Sequence, residues 1–316
     1  MTRTILVTGG AGNVGGSLVG RLVQNPQNFV VIFDDLSTGD KDKLPGVEFT
    51  NWKFIRGDVN RWQEIAAVMT SYRFDYVFHY SAVVGVKRTL ENPMKVLADI
   101  EGIKNVLELS KNTGVKRIFY SSSSEVYGEP FEIPQNEETT PLNARLPYAV
   151  VKQTSECFIK SFHREYDLNY TIFRFFNTYG PKQSEDFVVP KFLQAALRGE
   201  DITIYGDGLQ TRTFCYIDDN LDSTLKILYE DHCINDVINL GSEEEMTIVE
   251  LAEAIIKTAN SRSKIIHLPA LKEGDMKRRC PDNTKMKQII GRDLITLEEG
   301  IRKMMAYYFE EQAVKA

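Results

Sequence analysis

Cysteine is sparse in this sequence, and its four residues, Cys157, Cys215, Cys233 and Cys280, are far apart with no C-x-x-C pair. That spacing argues against a zinc site or a disulfide framework and suits free thiols in a reducing cytosol. No uninterrupted apolar run approaches the roughly 18 residues that a spanning helix needs. The opening residues run directly into a strand pattern instead of a basic, apolar signal sequence, so a cytoplasmic protein is expected. Positive charge is not in excess either: 38 Lys and Arg stand against 44 Asp and Glu, a formal net charge of −6, and the basic residues are scattered. Bulk attraction to nucleic acid is thereby disfavoured, and neither nucleic acid nor membrane is expected as a partner. A local cluster such as Lys277-Arg278-Arg279 still suits one phosphorylated small molecule. Internal repeats, low-complexity tracts and Pro- or Ser-rich linkers are absent, so any lobes should pack closely with a soft boundary.

What is present is an ordinary globular balance, 42% apolar and 26% charged over 316 residues, enough for a substantial core. Short β-branched runs alternate with helical spacing through the first half. Thr4–Thr8, Phe29–Phe33, Phe54–Asp58, Tyr76–His79, Arg117–Ser121 and Tyr170–Phe175 read as strands; Asn13–Val23, Trp62–Thr70 and Asn92–Lys111 read as helices. This rhythm predicts an α/β fold with a doubly wound parallel sheet of the Rossmann type, followed by a smaller mixed α/β substrate lobe. The expected division is 1–178 and 179–316, with the segment around 212–232 packing back on the first domain.

Between the first strand and first helix, Thr8-Gly9-Gly10-Ala11-Gly12-Asn13-Val14-Gly15 spaces glycines by three. Gly9 and Gly12 would permit a tight turn and close approach to a pyrophosphate, and Gly15 would let the helix pack on the sheet. Asp34 closes the second strand and can accept hydrogen bonds from the adenosine ribose; its charge repels a 2′-phosphate, which favours NAD over NADP. Asp58 is placed to bind the adenine amine.

Ser121 to Gly128 follows the fifth strand, at the sheet end where ligands bind. Tyr148 and Lys152, four apart on a predicted helix, share one face, and an ammonium beside a phenol favours the phenolate. Ser123, Tyr148 and Lys152 with a nicotinamide would make a hydride-transfer site on a secondary alcohol.

These motifs resemble the extended short-chain dehydrogenase/reductases, in the nucleotide-sugar epimerase/dehydratase branch. The likeness adds Leu36-Ser37-Thr38-Gly39, Gly57-Asp58-Val59, Arg174 to Pro181, Gln210 to Phe214, Asn239-Leu240-Gly241 and Arg278 to Asp282, spanning nearly the whole chain in order. It implies NAD held by Gly9, Gly12, Asn13, Val14, Gly15, Asp34, Ser37, Thr38, Gly39, Asp58, Val59, Tyr148 and Lys152. A nucleoside diphosphate sugar would lie between the lobes. Asn177 would contact its diphosphate, and Arg212 with Arg278 or Arg279 would bind phosphates through guanidinium forks. The branch also commonly forms homodimers through the helix after Asn92 and the helix carrying Tyr148.

Every member of the branch first oxidises the sugar at C4. A 4,6-dehydratase resembles this chain less, because it carries Asp-Glu where this chain has Ser124-Glu125. A UDP-glucuronate decarboxylase resembles it in Ser124-Glu125-Val126-Tyr127-Gly128, Gln210-Thr211-Arg212 and Arg279-Cys280-Pro281-Asp282. A 4-epimerase needs only Ser123, Tyr148 and Lys152, and Pro147 to Lys152 and Leu36 to Gly39 resemble epimerases most. The expectation is therefore a UDP-hexose 4-epimerase with catalytic Ser123, Tyr148, Lys152 and Glu125, decarboxylation being the alternative.

Overall fold

The computed structural model describes residues 2–270 and 278–315. Lys277 of the basic cluster lies outside them. The chain divides into two compact units, one made of residues 2–128, Leu142–Phe175 and Leu225–Ile238, the other of Glu129–Pro141, Phe176–Thr224 and the described residues from Asn239 onward.

In the first unit, β1 (Arg3–Thr8), β2 (Asn28–Asp34), β3 (Trp52–Arg56), β4 (Tyr76–His79), β5 (Arg117–Ser123) and β6 (Asn169–Phe175) pair in parallel. A seventh strand, Asp236–Leu240, joins at the edge to give the order Asp236–Leu240, β6, β5, β4, β1, β2, β3. The order reverses at β1, so the crevice of such a sheet opens above β1 and β4. Five helices connect the strands: α1 (Asn13–Leu22), α2 (Trp62–Ser71), α3 (Val86–Glu91), α4 (Pro93–Thr113) and α5 (Pro147–Tyr166). Proline opens α4 and α5 where no backbone donor is needed, and Gly114 ends α4 in the left-handed region at φ 77°.

Strands covered on both faces must be apolar throughout, and Ile5, Leu6, Val7, Val30, Val31 and Ile32 are all fully buried. Ile65 and Met69 of α2 and Ile103, Val106 and Leu107 of α4 share one cluster with Leu6, Val31 and Ile118. Full burial of a side chain of this size contributes about 1.5–3 kcal/mol. The third strand ends at Arg56, two residues before the expected Asp58. Gly57 N–H donates to Asp34 O at 3.1 Å, and Asp58 Oδ1 accepts Asn60 N–H at 2.9 Å, so the chain turns there instead of extending.

The second unit has no large sheet among its described residues. Thr211–Thr213 pairs antiparallel with Glu245–Thr247, Ile202–Tyr205 pairs parallel with Ile265–Leu268, and Thr178–Tyr179 pairs parallel with Cys215–Tyr216. Helix Ile248–Thr258 begins with a capping box in which Thr247 and Glu250 satisfy each other's backbone donors.

Candidate active site

The turn after β1 is shaped to admit a ligand's backbone-close approach. Gly9 has φ 70°, and a Cβ there would lie 2.6 Å from Ser81 N; a Cβ on Gly15 would lie 2.3 Å from Gly9 O. Gly12 differs: only Gly9 O comes near, at 3.2 Å, so its outer side is open. Gly12 caps α1 without any side-chain hydrogen bond, no acidic residue occupies the first turn, and Asn13 Oδ1 is buried with no partner. An uncapped helix start with an orphaned buried amide oxygen beside it fits a pyrophosphate and its attached riboses. Val14 is half-buried in the same turn.

Asp34 ends β2 beneath this turn. Its Oδ2 accepts Ala11 N–H at 3.0 Å and its Oδ1 accepts Leu36 N–H at 2.8 Å. Burial raises its pKa, against the lowering effect of the two backbone donors. A Cβ on Gly39 would sit 2.8 Å from Asp34 Oδ1, so this loop closes tightly around the carboxylate, while Ser37 and Thr38 are exposed beside it. Asp58, besides capping its turn, lies 3.7 Å from Arg61 Nε, and Val59 is buried with its carbonyl bonded by Asn105. These residues fit a dinucleotide.

Strand β5 delivers the serine run. Ser123 Oγ accepts Glu125 N–H at 3.2 Å as the cap of a 3₁₀ turn over Ser124–Tyr127, leaving its own O–H to donate elsewhere. Ser124 is buried and Glu125 half-buried. Helix α5 carries Tyr148, half-buried, and Lys152, which is 2% exposed with Nζ 5.6 Å from the Tyr148 ring centre and 4.9 Å from that of Tyr120. Lys152 Nζ donates to Ser121 O at 2.5 Å. Burial pushes the Lys152 amine down to about 8, with Asp99 and Glu156 opposing. Behind it His79, bonded through Nδ1 to Thr8 Oγ1 at 2.8 Å, is held neutral: burial, then the Lys152 charge, pushes it down to about 3.

A buried ion pair fastens this arrangement. Arg174 of β6 grips Glu156 of α5 by two bonds, Nε to Oε1 at 3.0 Å and Nη2 to Oε2 at 2.7 Å. Ser122 Oγ donates to the same carboxylate at 2.6 Å, and Arg174 Nη1 donates to Tyr127 Oη at 2.8 Å. Strand β5, the 3₁₀ turn, α5 and β6 thus meet at one network. Sequence reading did not single out Glu156, although it follows Lys152 by four residues on the same helical face.

The remaining candidates gather in the second unit. Asn177, at φ 36°, donates from Nδ2 to Thr213 O at 3.0 Å, next to Arg212, whose Nη1 donates to Thr211 O at 2.7 Å. Arg212 is 7% exposed and Arg279 8%. Arg278 is different: it is exposed, and its fork is taken up by Glu245, Nε to Oε2 at 2.6 Å and Nη2 to Oε1 at 2.5 Å. Sequence alone left open which of Arg278 and Arg279 would face a substrate; in the structure they differ in burial, and Arg278 is the one paired with Glu245. Among the described residues no cluster suits a metal ion, and no helix is long and apolar enough to cross a membrane.

A parallel sheet with a glycine turn and an acidic residue closing β2, beside a Tyr-x-x-x-Lys helix and a strand-end serine, defines a dinucleotide-binding fold. The chain belongs to the NAD-dependent epimerase/dehydratase family, whose model matches residues 5–241. It is similar to UDP-glucuronic acid decarboxylase 5 of Arabidopsis thaliana, 34% identical over 309 residues, covering 95% of this chain and 87% of that one. It is also similar to UDP-N-acetyl-alpha-D-glucosaminuronate decarboxylase of Bacillus cytotoxicus, 32% identical over 326 residues, covering 98% and 99%. Among solved structures, the UDP-glucose 4-epimerase of Thermotoga maritima with UDP-glucose superposes at a TM-score of 0.91, with 31% identity and 98% and 99% coverage. The protein is thus an enzyme of this family, and the two sequence relatives named are decarboxylases, the alternative to the expected epimerase.

Proposed function

We infer that this enzyme is an NAD-dependent decarboxylase of a nucleotide-linked hexuronate, most simply a UDP-glucuronate, working through a 4-keto sugar. The observation that carries this reading over the expected epimerase is Arg279. Its guanidinium is buried, with the residue 8% exposed, whereas the adjacent Arg278 is at the surface in a pair with Glu245. A desolvated guanidinium suits a carboxylate far better than a neutral hydroxymethyl group. The Ser124-Glu125 pair and the likeness to two uronate decarboxylases over 95% and 98% of the chain support the same choice.

Bound NAD supplies the acceptor for the C4 hydride and the store from which it returns. Tyr148 takes the O4 proton as that hydride leaves, its phenolate favoured by the Lys152 ammonium. Ser123, its oxygen occupied by Glu125 N–H, points its proton toward O4 and steadies the ketone that forms. The C6 carboxylate is then β to a ketone, so its C–C bond breaks to carbon dioxide and leaves the electron pair as an enolate on C5 and O4. Tyr148, now protonated, and Ser123 both donate to that oxygen. Protonation of C5 by a proton from water gives a 4-keto pentose, and return of the stored hydride to C4 with the Tyr148 proton to O4 would yield the pentose and restore the oxidised cofactor. Asn177 and Arg212 hold the diphosphate.

A second reading is supported by the solved 4-epimerase: with a neutral hexose, Ser123, Tyr148 and Lys152 suffice to make and reduce the ketone after the sugar turns over. Purified protein offered UDP-glucuronate or UDP-glucose with NAD separates the two by NMR. Carbon dioxide with a pentose product is expected. Interconversion of UDP-glucose and its C4 epimer, with UDP-glucuronate untouched, would reinstate the epimerase.

A further inference from the structure

Asn177 has an unusual backbone for a residue expected to meet a diphosphate. Its φ of 36° lies in the left-handed region, where a residue with a side chain stays only if its surroundings hold it there. The next two residues, Thr178–Tyr179, pair in parallel with Cys215–Tyr216, and Cys215 N–H donates to Asn177 O at 3.3 Å. A ladder of two residues supplies few backbone bonds, so the side chains around it decide how firmly the turn is held.

Three side chains do so. Gln183 Nε2 donates to Thr178 O at 2.9 Å, and Asn177 Nδ2 donates to Thr213 O at 3.0 Å. The third belongs to Asn220, which is fully buried in the first turn of helix Ile217–Tyr229. Its Nδ2 donates to Thr178 Oγ1 at 2.7 Å, and its Oδ1 accepts from Cys215 Sγ at 3.4 Å. One amide thus ties together Thr178 and Cys215, the two residues that face each other in the ladder. Burial pushes the Cys215 thiol well above its usual range, so it stays protonated and donates; the amide oxygen therefore turns to sulfur and its nitrogen to Thr178. The helix that carries Asn220 is itself anchored. Asp219, also fully buried, accepts Arg292 Nη1 on Oδ1 at 2.6 Å and Ile295 N–H on Oδ2 at 2.9 Å. All of these residues belong to the second unit.

We propose that Asn220 is a positioning residue for the nucleotide: by clamping Thr178 to Cys215 it holds the Asn177 turn in the conformation that meets the diphosphate. Asn220 is 0% exposed, so it acts through Asn177 and not by touching a ligand. Its effect falls on nucleotide binding, whereas Ser123, Tyr148 and Lys152, which handle the hydride-transfer step, belong to the first unit. This role rests on Asn177 holding the diphosphate, as proposed above.

Asn220→Leu removes both bonds of the amide, and Thr178→Val removes one acceptor. Calorimetric titration of the NAD-loaded enzyme with UDP should show affinity falling about five- to tenfold in either variant, the worth of one net hydrogen bond. KM for the nucleotide sugar should rise in step while kcat is nearly unchanged. The double variant separates positioning from packing. Replacing both partners by apolar groups of like shape is close to neutral for stability, so Asn220→Leu with Thr178→Val should regain the Tm of the unaltered protein without regaining UDP affinity. In an Asn177→Gly background, where glycine accepts the positive φ, Asn220→Leu should cost no further affinity. An Asn220→Leu enzyme with unchanged UDP affinity, a double variant that regains affinity along with Tm, or an undiminished loss in the Asn177→Gly background overturns the proposal. If Asn220→Leu fails to fold, Thr178→Val carries the same test. In the unaltered protein without nucleotide, the Asn177 Nδ2 protons, assigned in NMR spectra by their loss in Asn177→Gly, must exchange with water more slowly than those of a free asparagine and faster in Thr178→Val. Rapid exchange in the unaltered protein overturns the proposal. That measurement needs no nucleotide, so an enzyme that ignores every sugar nucleotide would sink the proposed function and leave this result readable.

Discussion

The two units hold their charges differently. In the first, the charges near the proposed chemistry are sealed inside: Lys152 is 2% exposed, Glu156 1% and Arg174 2%. In the second they are split: Arg212 and Arg279 are 7% and 8% exposed, whereas Arg278 pairs with Glu245 through side chains 55% and 20% exposed. Inside a protein an ionic contact is stronger and its loss is costlier, whereas at a surface water screens it. The first unit should therefore respond to charge changes in folding and chemistry together, and the second in ligand preference first.

The strongest test of this contrast is at the pair on α5. Tyr148→Phe removes the proton acceptor and leaves the ring, so the fold should persist while turnover falls by about 10²–10⁴. Single-turnover formation of the ketone, read as cofactor reduction, checks it. Wild-type turnover in the variant would remove Tyr148 from the chemistry altogether.

Next comes the buried pair behind it. Glu156→Gln leaves the Arg174 charge without its counter-charge at a site 2% exposed. Removing one partner of such a pair costs about 3–5 kcal/mol. Urea unfolding should show a drop of that size, because the glutamine amide nitrogen cannot accept from Arg174 Nη2 and the fork between β6 and α5 is broken. A change below about 1 kcal/mol would mean that the network behaves like a surface pair and that the contrast between the units is wrong.

The same contrast explains what could be read from sequence. The alternation of apolar runs with helical spacing, the glycine turn, Asp34 and the Tyr-x-x-x-Lys spacing are local signals, and each marks a group whose position the parallel sheet alone determines. The edge strand Asp236–Leu240 was not legible as a strand because its partner, β6, is distant in the chain. Glu156, His79 and Asn220 matter through neighbours that only the tertiary fold supplies. Tyr148 and Lys152 were legible as a pair, but the level of the Lys152 pKa depends on burial, which is not a spacing. The expected epimerase leaned on loop resemblance near Pro147 and Leu36 against Ser124, Glu125 and Arg279, whereas the difference in burial between Arg278 and Arg279 needs the fold.

That last difference gives the smallest expected effect and the finest test. Arg279→Met should raise KM for a nucleotide-linked hexuronate by about 10–10², because a desolvated charge-assisted contact is worth roughly 1.5–3 kcal/mol. Cofactor reduction by a neutral sugar nucleotide should change far less. Arg278→Met breaks only its exposed pair with Glu245, worth at most about 1 kcal/mol. Its effect on KM should stay within a few-fold, and its effect on unfolding should be small and should shrink further as salt is raised. Steady-state kinetics of both variants on charged and neutral sugars decide the matter. If the two arginines prove equal, or if Arg278 dominates, the guanidinium that discriminates the carboxylate is not the buried one, and the argument for a uronate loses the residue on which it stands.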